Sequence, residues 1–411
     1  MRGRRVARVL WGLAGALVLF LVLKSFVADV YRISSGSMRP TLFGGRARPT
    51  DEPFSEWVLL LYERAPRLAR WDLVARESGD GAVVKRAAGL PGETVQVVDG
   101  DLLVDGRYLP HDAPRPEPIP VFDDTLLAVE DFFTWKHVQS GSDTSAIWRH
   151  DEQVWTLDAT SVPRGSNQGM MFYHPEFRDD YFDQLGRRVV GKRTVNDVVL
   201  ELEFALDAGQ GALRFQVVEK GDTFEVRILS DESASGSTHV LELVRRSPSS
   251  KGETVLLERQ EVQLSRIRFY DLSFANVDNT LRVRIPEAGI DIVHAYERNE
   301  LHPLAASQEG HGDQSVGPRA GFGGEGVRAL FRSIRLLRDL HYTHVDGGAF
   351  GVDQPLKLGP DEIFLLGDNS RISNDSRHYG PVPLNEIVGR PSFVLWPWSR
   401  LRRLEGAAPA E

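Results

Sequence analysis

Apolar and polar positions divide the chain into three regimes. From Val9 to Leu23 every position is apolar or glycine, with Arg2, Arg4, Arg5 and Arg8 ahead of the run and Lys24 at its end. Phe26 and Val27 extend it. With its flanks the stretch approaches the roughly 20 residues that a spanning helix needs, and Lys24 can snorkel to the interface. The N-terminal arginines should stay in the cytoplasm, which sends everything after Val27 outside. A cleaved signal peptide is the other reading, but the run is long for one and Ser25–Ala28 is the nearest thing to a small-x-small site. The pattern predicts an uncleaved anchor, with cytoplasmic tip and spanning helix over residues 1–30.

Beyond the anchor the period falls to two. Short apolar runs at 57–61, 72–76, 81–86, 94–98 and 102–106 are punctuated by turns such as Asp99-Gly100-Asp101, which predicts an antiparallel meander. A proline-rich link, Pro110–Pro120, then marks a boundary. Past it, alternating runs at 198–204, 213–218, 223–229, 239–243, 254–257, 267–272, 280–285 and 327–336 predict an all-β sandwich. Its end, Val316–Gly324 and Phe331–Leu336, resembles concanavalin-like or laminin-G-like jelly rolls. No later segment is long enough to span a bilayer; Ser392–Trp398 fits a buried strand or an interfacial aromatic patch. The expected class is mainly β: an N-terminal transmembrane helix, then an antiparallel β core in two parts (31–115 and 350–405) interrupted by an inserted jelly-roll-like β-sandwich (121–345).

Composition narrows the chemistry. The chain has 411 residues, is 41% hydrophobic and 26% charged, and carries a net charge of -9. That is the profile of a globular protein of two or three domains. No basic stripe with aromatics stands out, so nucleic acid is not an expected partner. Without cysteine there is no disulfide, thiolate nucleophile or Cys-ligated zinc. His137, His150 and His174 fit no metal-ligand spacing, so neither metal nor cofactor is expected. Trp135, Trp148 and Trp155 read as core residues before sugar-stacking ones. Lysine is scarce, with Lys24, Lys85, Lys136, Lys192, Lys220, Lys251 and Lys357 the whole set, so any amine chemistry comes from these.

Three separated stretches then matter together. Ser34–Leu42 (Ser-Ser-Gly-Ser-Met-Arg-Pro-Thr-Leu) is, by itself, only a turn. Lys85 follows Ala82-Val83-Val84 and precedes Arg86-Ala87-Ala88. Strand alternation points Lys85 and Arg86 to opposite faces. A surface Lys-Arg pair at a strand end is one reading; a desolvated lysine able to accept a proton is the other. The third stretch, Gly367–Arg377, is a Gly-Asp-Asn loop rich in Ser and Asp. Serine, lysine and such a loop can form a Ser-Lys variant of the serine-triad logic.

The set resembles type I signal peptidase, the membrane-bound Ser-Lys endopeptidase of the bacterial cytoplasmic membrane. The resemblance is carried by Ser35–Leu42, Arg70–Val74, Val84–Glu93, and Gly367–Asn369 through Asp375–Arg377, in the family's order behind an anchor. It covers the chain to about Pro110 and from about Gly351 to Arg403, not the middle. Ser34 departs from the proline common among relatives, and one anchor stands where many Gram-negative relatives have two. The resemblance implies Ser37 as nucleophile and Lys85 as general base. It implies Ser35 with the Ser37 N–H as oxyanion hole, Ser373 as the group orienting the lysine amine, and Asp375 with Arg377 as a supporting ion pair. Asp368 and Asn369 match the fixed entry to that loop. Ile33, Leu42, Val83 and Val84 flank the site and are the candidates to line shallow pockets for small P1 and P3 residues.

The expected function is removal of signal peptides from exported preproteins after Ala-x-Ala sites. The partners would be preprotein signal peptides and the phospholipid membrane, with a glycan or envelope protein as the candidate ligand of the insert. The chain would be single-pass in the bacterial cytoplasmic membrane, its catalytic part on the outer side. The alternative is an envelope binding protein whose sandwich recognises glycan or protein beside a specialised or vestigial protease core.

Overall fold

The structure, a computed structural model, describes residues 27–63, 67–79, 81–98, 100–110, 113–125, 135–137, 147–151, 153–175, 177–219, 221–230, 237–247, 253–296, 319–342 and 350–404, with Trp11, Ala14, Gly15 and Lys24. The expected anchor therefore lies almost wholly outside the described residues. Among those described, no helix is long and apolar enough to cross a membrane. The chain separates into two compact units, one of Met1–Glu117 with Leu340–Glu411, the other of Pro118–Asp339.

The first unit is built on an antiparallel eight-stranded sheet. Its spatial order is Ala28–Arg32, Trp57–Tyr62, Ile387–Trp396, Leu73–Ser78, Gly81–Gly89, Glu362–Leu366 and Val382–Pro383, with Arg402–Arg403 paired to Ile387–Trp396. N- and C-terminal strands alternate, so neither stretch could form this sheet alone. Leu356–Lys357, Thr94–Val98, Asp101–Val104 and Arg107–Tyr108 make a smaller four-stranded sheet. Asp105 and Gly106 form its tight hairpin, both at positive φ (52° and 77°), the geometry for which an Asp-Gly pair is suited.

Both faces of the large sheet are covered where the Gly81–Gly89 strand runs, and this decides the fate of Lys85. Val84 packs with Ile33, Met38, Leu42, Val58, Leu73 and Val394. Ala87 packs with Val74, Ile363, Leu365, Val382 and Ile387. Lys85 and Arg86, on opposite faces of one covered strand, are both buried; the surface-pair reading fails. The returning chain joins this unit from Leu340, earlier than the expected end of the insert. Tyr342 donates its N–H to the Gly100 carbonyl at 2.8 Å and stacks on Trp71, centroids 6.0 Å apart.

The second unit holds a 13-stranded antiparallel sheet. The two runs expected at 198–204 and 213–218 are one strand, Val198–Glu219, paired along its length with Arg319–Arg338. Register shifts between Glu201 and Glu203, Leu206 and Ala208, and Gly209 and Ala212 bend the pair. One half of Val198–Glu219 then pairs with Tyr270–Val277 and the other with Asp222–Ser230. The two wings share one core, in which Phe204, Phe215, Phe224, Phe274 and Phe331 are buried together. That is how a single continuous sheet becomes a sandwich. Trp135, Trp148 and Trp155 belong to this core, so their rings are not presented to a sugar. The strand expected at 267–272 begins only at Tyr270, because Ile267 sits at positive φ (62°).

Candidate active site

The first strand, Ala28–Arg32, runs into a turn pinned on both sides of Ser37. Met38 and Leu42 bury their side chains in the sheet's core, and Leu42 donates its N–H to the Met38 carbonyl at 2.8 Å. The Glu362–Leu366 strand lies against Gly81–Gly89 with Leu366 opposite Arg86. It thereby delivers Gly367–Arg377 beside Lys85. Asn369 donates its N–H to the Ser37 carbonyl at 3.0 Å. Gly367 can be nothing larger, since an added Cβ would stand 2.7 Å from that carbonyl oxygen and 2.2 Å from Ser373 Oγ.

Within this frame the Lys85 amine donates to Ser37 Oγ at 2.7 Å. Ser35 Oγ lies 3.2 Å from Ser37 Oγ. Lys85 is 3% exposed. Burial pushes its amine down to about 8, against an upward pull from the Asp375 and Asp368 carboxylates, while the Arg377 guanidinium pushes it further down. Ser37 is half-buried and Ser35 exposed, so the pair faces a side that a substrate can approach.

Two ion pairs support the arrangement. Asp375 and Arg377 are wholly buried, with Arg377 Nη2 to Asp375 Oδ2 at 2.8 Å and Nε to Oδ1 at 2.9 Å. The same carboxylate accepts the Gly367 N–H at 3.1 Å and caps the short helix Ser376–Tyr379. Sequence reasoning missed the second pair. Arg86 Nε donates to Asp368 Oδ1 at 2.8 Å, Arg86 Nη2 to Thr41 Oγ1 at 3.2 Å, and Thr41 Oγ1 to Asp368 Oδ2. The latch ties the serine turn, the lysine strand and the Gly-Asp-Asn loop together. Its signal was Arg86 itself, a charge inside an apolar strand that demands a buried partner.

Two expectations are corrected. Ser373 Oγ is buried and makes no hydrogen bond among the described residues, so the expected bond to the Lys85 amine is not formed; the amine donates to Ser37 Oγ. Leu42 is fully buried and is part of the core, not the wall of a pocket. Ile33 and Val84 are mostly buried beside it, and Val83 keeps partial exposure.

An alcohol held against a buried amine of lowered pKa is equipment suited to acyl transfer through a serine nucleophile. The chain belongs to the family described as "Signal peptidase, peptidase S26", which it matches over residues 6–161 and 336–396, more than half its length. Individual relatives align over short segments. "Signal peptidase I" of Bacillus caldolyticus is 48% identical over 44 residues, 11% of this chain and 24% of the relative. "Mitochondrial inner membrane protease subunit 1" of Mus musculus is 51% identical over 37 residues, 9% and 22%. "Signal peptidase I" of Streptococcus pneumoniae is 32% identical over 83 residues, 20% and 39%. In each case the match spans well under half of the relative's own length. Among solved structures, the carbohydrate binding module CBM66 from Bacillus subtilis has 8% identity and a TM-score of 0.30, over 50% of this chain and 95% of that one; likeness of that order distinguishes no function.

Proposed function

We propose that this chain is a membrane-bound endopeptidase that removes N-terminal signal peptides from exported preproteins after small-x-small sites. Ser37 is the nucleophile and Lys85 the general base. The observation that carries this is the 2.7 Å approach of a buried, pKa-lowered lysine amine to Ser37 Oγ. In the acylation step the neutral amine takes the Ser37 hydroxyl proton as Oγ attacks the scissile carbonyl. The Ser35 hydroxyl and the Ser37 N–H receive the oxyanion. The Lys85 ammonium then gives its proton to the departing amine, and the carbon–nitrogen bond breaks. Water, deprotonated by the same amine, releases the signal peptide from Ser37. The test is cleavage of an Ala-x-Ala preprotein by the full chain in detergent or vesicles; an intact preprotein after prolonged incubation would sink the proposal.

The pH profile follows from the lysine. Below its pKa the amine is an ammonium that cannot accept a proton, and above it the amine is neutral. The expected kcat/KM therefore rises with pH through about 8 and levels off beyond. A flat profile from pH 6 to 10 would rule out a lysine base.

A membrane location is supported by the apolar run at 9–23 and by one face of the first unit. Trp57 pairs with both Arg32 and Trp396, and Leu59 with Val30 and Phe393, so these side chains share a face. Val30, Trp57, Phe393, Trp396, Trp398 and Leu401 are exposed there or beside it, Trp398 at 71%. Indole rings at such a face suit the headgroup region. Serine at both 396 and 398 is expected to slow cleavage of a vesicle-inserted preprotein about tenfold, a modest share of the apolar contact of two indoles. Cleavage of a soluble peptide in detergent should stay near wild type. Equal losses on both substrates would mean the rings serve the fold instead.

A further inference from the structure

Arg39, two residues after the proposed nucleophile, is 2% exposed and, among the described residues, pairs with no carboxylate. A buried cation without a counter-charge is costly unless hydrogen bonds satisfy it. Here the guanidinium donates to two backbone carbonyls, Nη1 to Arg46 at 2.6 Å and Nη2 to Gly44, while Nε finds no acceptor. The Gly44–Arg46 segment it grips lies directly under the serine turn. A Cβ on Gly44 would stand 2.6 Å from the carbonyl oxygens of both Ile33 and Ser35. The guanidinium carbon itself would be 3.1 Å from a Cβ on Gly36, and the Arg39 N–H closes the turn on the Gly36 carbonyl at 3.2 Å.

We propose that Arg39 is a positioning residue whose planar fork clamps Gly44 and Arg46 beneath the Ser35–Ser37 turn and so fixes where the Ser35 hydroxyl meets the oxyanion. Ser35 is exposed, so its own side chain has little packing to hold it in place; the backbone under it must do so. Lysine cannot reproduce this, because an ammonium offers a point charge and not a fork. The inference rests on Ser37 as nucleophile and Ser35 as oxyanion donor.

The test measures preprotein cleavage by the full chain with Arg39→Met, Arg39→Lys, Ser35→Ala and the Ser35→Ala/Arg39→Met double variant. Both Arg39 variants are expected to lose about 10²-fold in kcat, the scale of a misplaced oxyanion donor, with KM nearly unchanged. The pH at which kcat/KM levels off should stay that of wild type, since Lys85 is untouched. The double variant should be little slower than the worse single one, because both changes act on the same donor. Wild-type kcat in either Arg39 variant overturns the proposal, as do losses that multiply in the double variant. A kcat loss that only tracks the unfolded fraction in a thermal melt overturns it too. Failure of the underlying function is read separately: it would show as an inactive wild type or an active Ser37→Ala.

Discussion

Ser37→Ala and Lys85→Met are each expected to lower preprotein cleavage by roughly 10⁴-fold or more, the loss that follows when a nucleophile or its base is removed from a unit that works as one. The physical case differs for the two. Alanine at 37 removes the atom to be acylated, while the turn stays pinned by Met38, Leu42 and the Asn369 N–H on the Ser37 carbonyl. Methionine at 85 keeps the length and the apolar surroundings of a side chain that is already 3% exposed, so the sheet loses no packing. What disappears is the amine that, among the described residues, reaches Ser37 Oγ. Because the two groups act together, the double variant should be no slower than either single one. Cleavage within tenfold of wild type in either variant would remove the dyad from consideration.

Asp375→Ala is expected to cost about 3–5 kcal/mol of stability, because it strands a guanidinium in a site with no access to water. Arg377 and Asp375 have no exposed side-chain surface at all. The carboxylate also holds the Gly367 N–H and caps the Ser376–Tyr379 helix, so the loss spreads through the loop beside Lys85. Arg377 keeps its bonds to Ser370 Oγ and the Ser370 carbonyl, which softens the loss without neutralising the charge. Asp375→Ala combined with Arg377→Met should recover a good part of it, since the buried charge is then gone. Urea unfolding of the three proteins decides the matter; a single variant as stable as wild type would show that the pair is not buried as described.

Much of the site was legible because its parts are local. Ser37 and its neighbours, the lysine in its apolar strand and the Gly-Asp-Asn loop each carry a short pattern, and it was the family resemblance of the set in its order that implied that they meet. Arg86, Asp368 and Thr41 were not legible as a group. Nothing near Thr41 distinguishes it from any turn threonine, and its partner lies 327 residues away. For Ser373 the motif placed a hydroxyl in the loop beside Lys85, but it could not say which way that hydroxyl faces, and Oγ makes no hydrogen bond among the described residues. In the second unit, alternation located the strands but not their continuity. The Gly209–Ala212 shift that joins two expected strands into Val198–Glu219 looks, in sequence, like a loop.

The latch between Thr41, Arg86 and Asp368 also has a meaning for the order of synthesis. Contacts that span most of a chain form late, after the loop between them has been closed. A chain emerging N-terminus first exposes Ser37 and Lys85 long before Asp368 and Asn369 exist to lock them. During translation the two reactive groups are present but lack the partners that set their geometry. On the reading proposed here, the Ser37–Lys85 pair therefore reaches its final geometry only after the Gly367–Arg377 loop has been made and has docked.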